Sequence, residues 1–462
     1  MNALRAITLL TLASLSLAIC ADEAPSYKPS RQDEDWSVLR DPALRGDAFD
    51  SLKFIPLNQA ETAWLTMGGE SRQRYEFFDQ ANWGAGPQDN NGYLLQRYLY
   101  HLDAHLNEQV RLFTDLQSGL VDGRNGGPRS TDRDAADVHQ LFSDVRFPLG
   151  ADDSLVVRTG RQELAFGSQR LVSLRDAPNL RRTFDGARTT LRWNGWQFDA
   201  FATRPVRLKT GVFDDDPDPH AKFWGLYGVA PFSVLPGGKI DLYYFGLDRD
   251  SATFAQGTAQ EQRHSIGTRW WGKQSAWDWN YEFVYQFGTF GSGDISAWTV
   301  ATDNGYTLAH TVWTPRFGFK ADVTSGDQNP ANTDLQTFNP LFPRGGYFSE
   351  TGLIGPQNHI DLHPSLELHP SHAVTFTTDL DFFWRQSTHD GVYNIGQFVA
   401  RPGGNGGSNY IGSQATAQLE WRINRHVTWV ANYAHFFADV FLEEVPPAKD
   451  VNFVATWLSC KF

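Results

Sequence analysis

The sequence predicts an all-β protein: an antiparallel transmembrane β-barrel of about eighteen strands, with short periplasmic turns and long extracellular loops. Three observations carry this. From Thr62 onward, hydrophobicity repeats with a period of two, segment after segment. The connections between those segments alternate between tight and long. The final segment, DVNFVATWLSCKF, alternates to Phe462, setting Val454, Thr456, Leu458 and Cys460 against Phe453, Ala455, Trp457, Ser459 and Lys461. A last strand that must pair with the first to close a wall keeps its pattern to the end, whereas a free chain end frays.

Residues 1–21 read as a signal peptide: Arg5, an apolar run over 6–19, then Cys20 and Ala21 before Asp22 and Glu23. The run is too short for a membrane helix. Cleavage there leaves Cys460 as the remaining cysteine, so no internal disulfide is expected. Residues 22–61 are polar and charged and read as a periplasmic segment, and 62–462 as the barrel. No other stretch approaches the length of a helical span. Mean hydropathy is −0.43, as a barrel with a wet interior gives, because only alternate residues face lipid. The 16 Trp, 15 Tyr and 33 Phe suit interfacial girdles. A net charge of −13 disfavours nucleic acid as a partner. The expected partners are the lipid bilayer and lipopolysaccharide, the outer-membrane assembly machinery acting on the last strand, and a solute, with the barrel a monomer.

In order, the strands predicted are 62–78, 92–106, 108–120, 136–147, 153–165, 186–194, 195–204, 221–230, 238–248, 262–272, 277–288, 293–303, 313–324, 356–368, 372–386, 409–422, 426–440 and 450–462. The pattern is plain in several. Leu65, Met67, Tyr75 and Phe77 oppose Glu70, Arg72, Arg74 and Glu76; Trp277, Trp279, Tyr281, Phe283, Tyr285 and Phe287 oppose Asp278, Asn280, Glu282 and Gln286. Connections after even strands are mostly tight, as at Asn107-Glu108, Asn194-Gly195 and Asn424-Arg425. Those after odd strands are mostly long, as over 121–135, 205–220, 325–355 and 386–408.

A barrel of this size encloses a channel, and the polar face of each strand should line it. That face supplies Arg72, Arg74, Arg97, Arg111, Arg146, Arg188, Arg192, Arg263, Arg269, Arg316, Lys320 and Arg385, with Glu70, Asp103 and Glu282 among them; Arg161, on the strand face opposite Arg158, is counted with the lining as well. A guanidinium is permanently charged, weakly hydrated and shaped to grip a carboxylate, so repeated arginine along a wet path suits an anionic solute. The same arginines could instead pair with neighbouring Asp and Glu and stiffen the wall.

Four segments carry a resemblance. RTGRQELAFGSQRLVSLRDAPNLRRTFD (158–185, continuing GARTTLRW), QFGTFGSGDISAWTVATDNGYT (286–307), PRFGFKADVTSGD (315–327) and FNPLFPRGGYFSE (338–350) resemble signature segments of the alginate-export family of outer-membrane proteins. The resemblance implies an electropositive pore for alginate or alginate-like polyuronates, with Arg161, Gln162, Arg170, Arg181, Arg182, Arg188, Arg316, Lys320 and Asp322 at motif positions. The alternative is an uptake or general diffusion porin for small organic acids or sugars. The turn 423–426 is too short to seal a wide pore, so plugging is expected from 121–135, 325–355 or 22–50. This short turn gives weight to a relative that passes other anionic saccharides or small acids.

No catalysis, cofactor or metal is expected. His359, Asp361 and His363 share a strand face, but neighbours two apart on a strand lie about 6.6–6.8 Å from each other, and no further ligand is evident. Asp214–Asp218 reads as a solvated acidic loop. Asp379 and Asp381 could pair for glycoside cleavage, which would make the protein a carbohydrate-active barrel enzyme. No nucleophile constellation accompanies them.

Overall fold

Eighteen strands close into one antiparallel barrel in the computed structural model, which describes residues 26–462 apart from 233, 235 and 404–406. The predicted signal peptide lies outside the described residues. The strands are β1 Trp64–Asp79, β2 Tyr93–His105, β3 Val110–Asp122, β4 Asp134–Pro148, β5 Ser154–Gln162, β6 Phe184–Trp193, β7 Trp196–Arg207, β8 Ala221–Phe232 and β9 Gly238–Phe254. They continue as β10 Gly257–Gln274, β11 Trp277–Phe290, β12 Gly293–Thr307, β13 Arg316–Thr324, β14 His359–Ser371, β15 Val374–Trp384, β16 Tyr410–Arg422, β17 Val427–Ala438 and β18 Val451–Lys461. Each pairs with the next, and β18 returns to β1 from Glu70↔Lys461 to Asp79↔Asn452.

The period of two decides which residues meet lipid. Tyr75, Leu112, Leu141, Phe198, Leu242, Ile266, Phe283, Phe319, Leu380 and Leu458 stand outward and exposed. Trp193, Trp196, Trp270, Trp277 and Trp421 lie beside the short turns, where an interfacial girdle belongs. On β18 the inner face is Phe453 and Ala455, both fully buried, while Val454 and Leu458 face out.

Differences from the expected strands have local causes. β9 and β10 run on to a two-residue turn at Ala255-Gln256, where a long loop was expected. The extension is held by Arg249–Glu261 (2.5 Å) and Thr253–Thr258 (2.9 Å) across the hairpin. β13 begins at Arg316 and not at Trp313, because Trp313 and Thr314 adopt φ of 64° and 38° and so cannot join a ladder. β5 stops at Gln162, where the chain turns into the lumen.

Candidate functional site

The lumen is not open. The 163–183 loop folds into it, burying Leu164, Phe166, Leu171, Val172, Leu174 and Leu180. The Phe166 ring packs on Phe201 (5.2 Å between centroids) and Tyr227 (5.0 Å). The 325–358 loop meets it there: Ser173 N donates to Phe342 O (3.0 Å) and Phe342 N to Leu171 O (2.7 Å). Each large apolar side chain buried contributes about 1.5–3 kcal/mol, which offsets part of the cost of ordering an irregular segment.

Charge fastens the loop tip to the wall. Asp176 accepts from Arg97 of β2 (2.8 Å) and Arg181 (2.7 Å), and Arg72 of β1 donates to the carbonyls of Asp176 (2.8 Å) and Pro178 (2.6 Å). At the opposite wall Glu282 accepts from Ser168 (2.8 Å), Tyr243 (2.7 Å) and Arg170 (3.2 Å). Of the expected plugs, 325–355 and the N-terminal segment fold inward, and 121–135 packs on the inward loop, Leu180 N donating to Thr131 O (2.9 Å) and Asn179 Nδ2 to Asp132 O (2.8 Å). The 163–183 loop was not foreseen, although its apolar content is far above what a solvated connection carries.

Most of the arginines expected to line the path are ion-paired to carboxylates of the wall. Arg74 binds Glu76 (2.6 Å) and Glu350 (2.7 Å); Arg97 also binds Glu70 (2.7 Å); Arg111 binds Asp103 (2.7 Å). Arg263 binds Glu261 (2.6 Å), Arg269 binds Asp241 (2.9 Å), Arg316 binds Asp278 (2.5 Å) and Arg188 binds Asp199 (2.9 Å). Arg385 lies beyond β15 and organises the following loop, donating to the carbonyls of Thr388, Gly403 and Ser408. Arg161 sits in register with Leu141, which is outward and exposed, and pairs with Asp185 (2.8 Å). It belongs to the outer rim and not to the lumen.

A vestibule of about 1170 Å³ lies on the side of the short turns. Its roof is Ala165, Gln169 and Leu174 of the inward loop, and one flank is the N-terminal segment. Seven basic side chains line it against five acidic ones. Arg111, Arg146, Arg158, Arg188 and Arg192 stand together on β3 to β6. Arg158 is held by Asp144 (2.7 Å) and lies over the Phe142 ring. Arg146 and Arg192 are exposed, with no carboxylate in ion-pair range among the described residues. Both belong to the inward polar face read from the sequence.

The N-terminal segment is docked in the barrel mouth. Arg31 donates to the carbonyls of Gly69 and Phe462 (both 3.0 Å), Gln32 O accepts from Arg111 (2.8 Å), and Asp47 accepts from His426 (2.7 Å). Lys53 is fully buried, its ammonium on Met67 O (2.9 Å) and facing the Tyr27, Trp36 and Phe462 rings. Burial, then repulsion from Arg31, pushes Lys53 down from 10.5 to about 7. Between those values the undocked segment binds a proton that the docked one has shed. Docking therefore strengthens as pH rises from 7 toward 10.5 and is weakest below 7. Protease cleavage within 26–56 should be slower at pH 9 than at pH 7, by up to about tenfold per unit. Lys53→Met should remove that dependence, and an unchanged pH profile in the variant would refute the assignment.

Comparisons with known proteins agree with this architecture. A sequence model described as alginate export matches residues 63–455. No curated protein sequence matches the chain. Among solved structures, Pseudomonas aeruginosa OpdK with vanillate superposes with a TM-score of 0.58 at 12% identity, covering 88% of this chain and 99% of that one. Pseudomonas aeruginosa OccK8 (OprE) gives 0.58 at 12% over the same shares, and OccD3 (OpdP) from the same organism gives 0.57 at 11%, over 86% and 91%. At such identities the likeness is one of fold.

Proposed function

The chain belongs to the alginate-export family of bacterial outer-membrane β-barrel proteins, and from that premise we propose that it is a passive channel for anionic saccharides, alginate-like polyuronates foremost. The observation that supports this is the vestibule, where basic side chains exceed acidic ones and Arg146 and Arg192 carry unmatched charge. A low-dielectric wall focuses the field of its own lining, so the chain's net −13 does not set the sign inside. Guanidinium groups at successive strand positions can pass a carboxylate from one to the next, each contact weak enough to release it. No reaction step is assigned to the lumen.

A second reading, an uptake porin for small organic acids, draws support from the inward loops, which leave little room for a polymer unless they move. A neighbour in fold was solved with vanillate, itself a carboxylate. Planar-bilayer recording separates the readings. The wild type should be anion-selective, and oligouronates should block its current more than neutral sugars do. Joint replacement Arg146→Ala and Arg192→Ala should move the reversal potential toward cations and weaken that block. A cation-selective wild type, or one indifferent to uronates, would leave only a general diffusion porin; block by monomeric acids without block by oligouronates would favour uptake.

A further inference from the structure

His359, Asp361 and His363 stand on the inner face of β14, and neither imidazole reaches the other along the strand. The ligands missing from that strand come from its neighbours. Register places Asp322 of β13 directly opposite Asp361, and β15 brings Asp381 beside His363. Directly opposed residues have Cβ atoms about 4.5–5.5 Å apart, closer than successive residues on one face of a strand. Two triads result, Asp322–His359–Asp361 and Asp361–His363–Asp381, whose donor atoms lie within 4.8 Å of one another.

All five side chains are at most 4% exposed. Buried carboxylates this close need a compensating cation, and what the protein supplies is incomplete. Arg170 Nε reaches only to 4.0 Å from Asp322, and Lys320, in register with His363, makes no ion pair among the described residues. Asp381 Oδ2 has no hydrogen-bond partner, while Oδ1 is met by His363 Nδ1, whose other ring nitrogen lies 3.5 Å from Asp379. His359 Nδ1 is also unpartnered, while its Nε2 lies 3.2 Å from Asp361 Oδ1. That spacing is what two ligands about 2.0–2.1 Å from one tetrahedral ion adopt.

We infer that Asp322, His359, Asp361, His363 and Asp381 form a divalent-metal site of the Zn²⁺ class, centred on Asp361. Each triad offers one imidazole beside two carboxylates, and the imidazole favours a borderline ion over Ca²⁺ or Mg²⁺, which take oxygen ligands. The 325–358 loop caps the site: Tyr347 OH donates to Asp322 (3.0 Å), and the Phe348 ring packs on His359 (5.0 Å) and Phe383 (5.3 Å). The ion thus fixes the wall on which the plug rests.

The full chain, folded in detergent and stripped with EDTA, should on equilibration with Zn²⁺ and desalting retain at least one ion per barrel. Asp361→Asn and His359→Gln should each lower Zn²⁺ affinity by at least tenfold while heat-modifiable migration persists. Co²⁺ used in place of Zn²⁺ should give the visible bands of an imidazole-bound ion. A folded wild type that holds no more Zn²⁺ than Asp361→Asn, or whose Co²⁺ spectrum is that of the free aqueous ion, overturns the site. If a variant fails to fold, the wild-type stoichiometry and Co²⁺ spectrum decide alone. These readouts do not depend on what the channel carries.

Discussion

Removing 451–462 is expected to abolish assembly outright. β18 makes ten register pairs with β1 and ten with β17, so its loss leaves two open ladder edges at membrane depth. In the hydrocarbon layer each unsatisfied backbone group costs several kcal/mol, and a seam of this length exceeds the whole net stability of a typical domain. The loss extends beyond the seam. Phe462 exchanges both backbone hydrogen bonds with Gly69 (3.0 and 3.1 Å) and receives Arg31 of the docked N-terminal segment. Heat-modifiable migration and outer-membrane fractionation would show the result. A truncated chain that reached the membrane folded would mean that closure does not depend on this strand.

The second large effect concerns the inward loop. Replacing 165–180 by a short Gly-Ser linker should raise single-channel conductance several-fold without loss of the barrel, because β5 and β6 are already paired over Ser154–Gln162 and Phe184–Arg192 without it. The deletion removes the vestibule roof and the partner of the 325–358 loop. A milder version, Asp176→Asn, weakens only the fastening to Arg97 and Arg181 and should appear as noisier gating at unchanged barrel stability. Its cost is that of leaving two guanidiniums without a full counter-charge. Conductance unchanged by the deletion would show that the constriction lies elsewhere.

The barrel itself was legible because strand alternation is local: Arg72 and Tyr75 are assigned to opposite faces by position alone, and the structure places them so. The same rule sets Arg161 on the face opposite Arg158, and register with the outward Leu141 removes it from the lining in which it was expected. Strand ends were less legible where backbone conformation intervened, as at Trp313 and Thr314.

The strands, their faces and the closure of the wall can be read from the chain alone, because a period of two is written in neighbouring residues. Which charges remain available depends on how the strands come together. Arg263 and Arg146 look alike in sequence, yet one is buried on Glu261 and the other stands open in the vestibule. The inward course of 163–183, and the meeting of Asp322, Asp361 and Asp381 from three strands, were settled the same way. The physical reason is that a carboxylate's partner and a loop's resting place are fixed by cross-strand register and packing between residues far apart in the chain. Coulomb and hydrophobic terms act over ångströms of space, whatever the distance along the sequence.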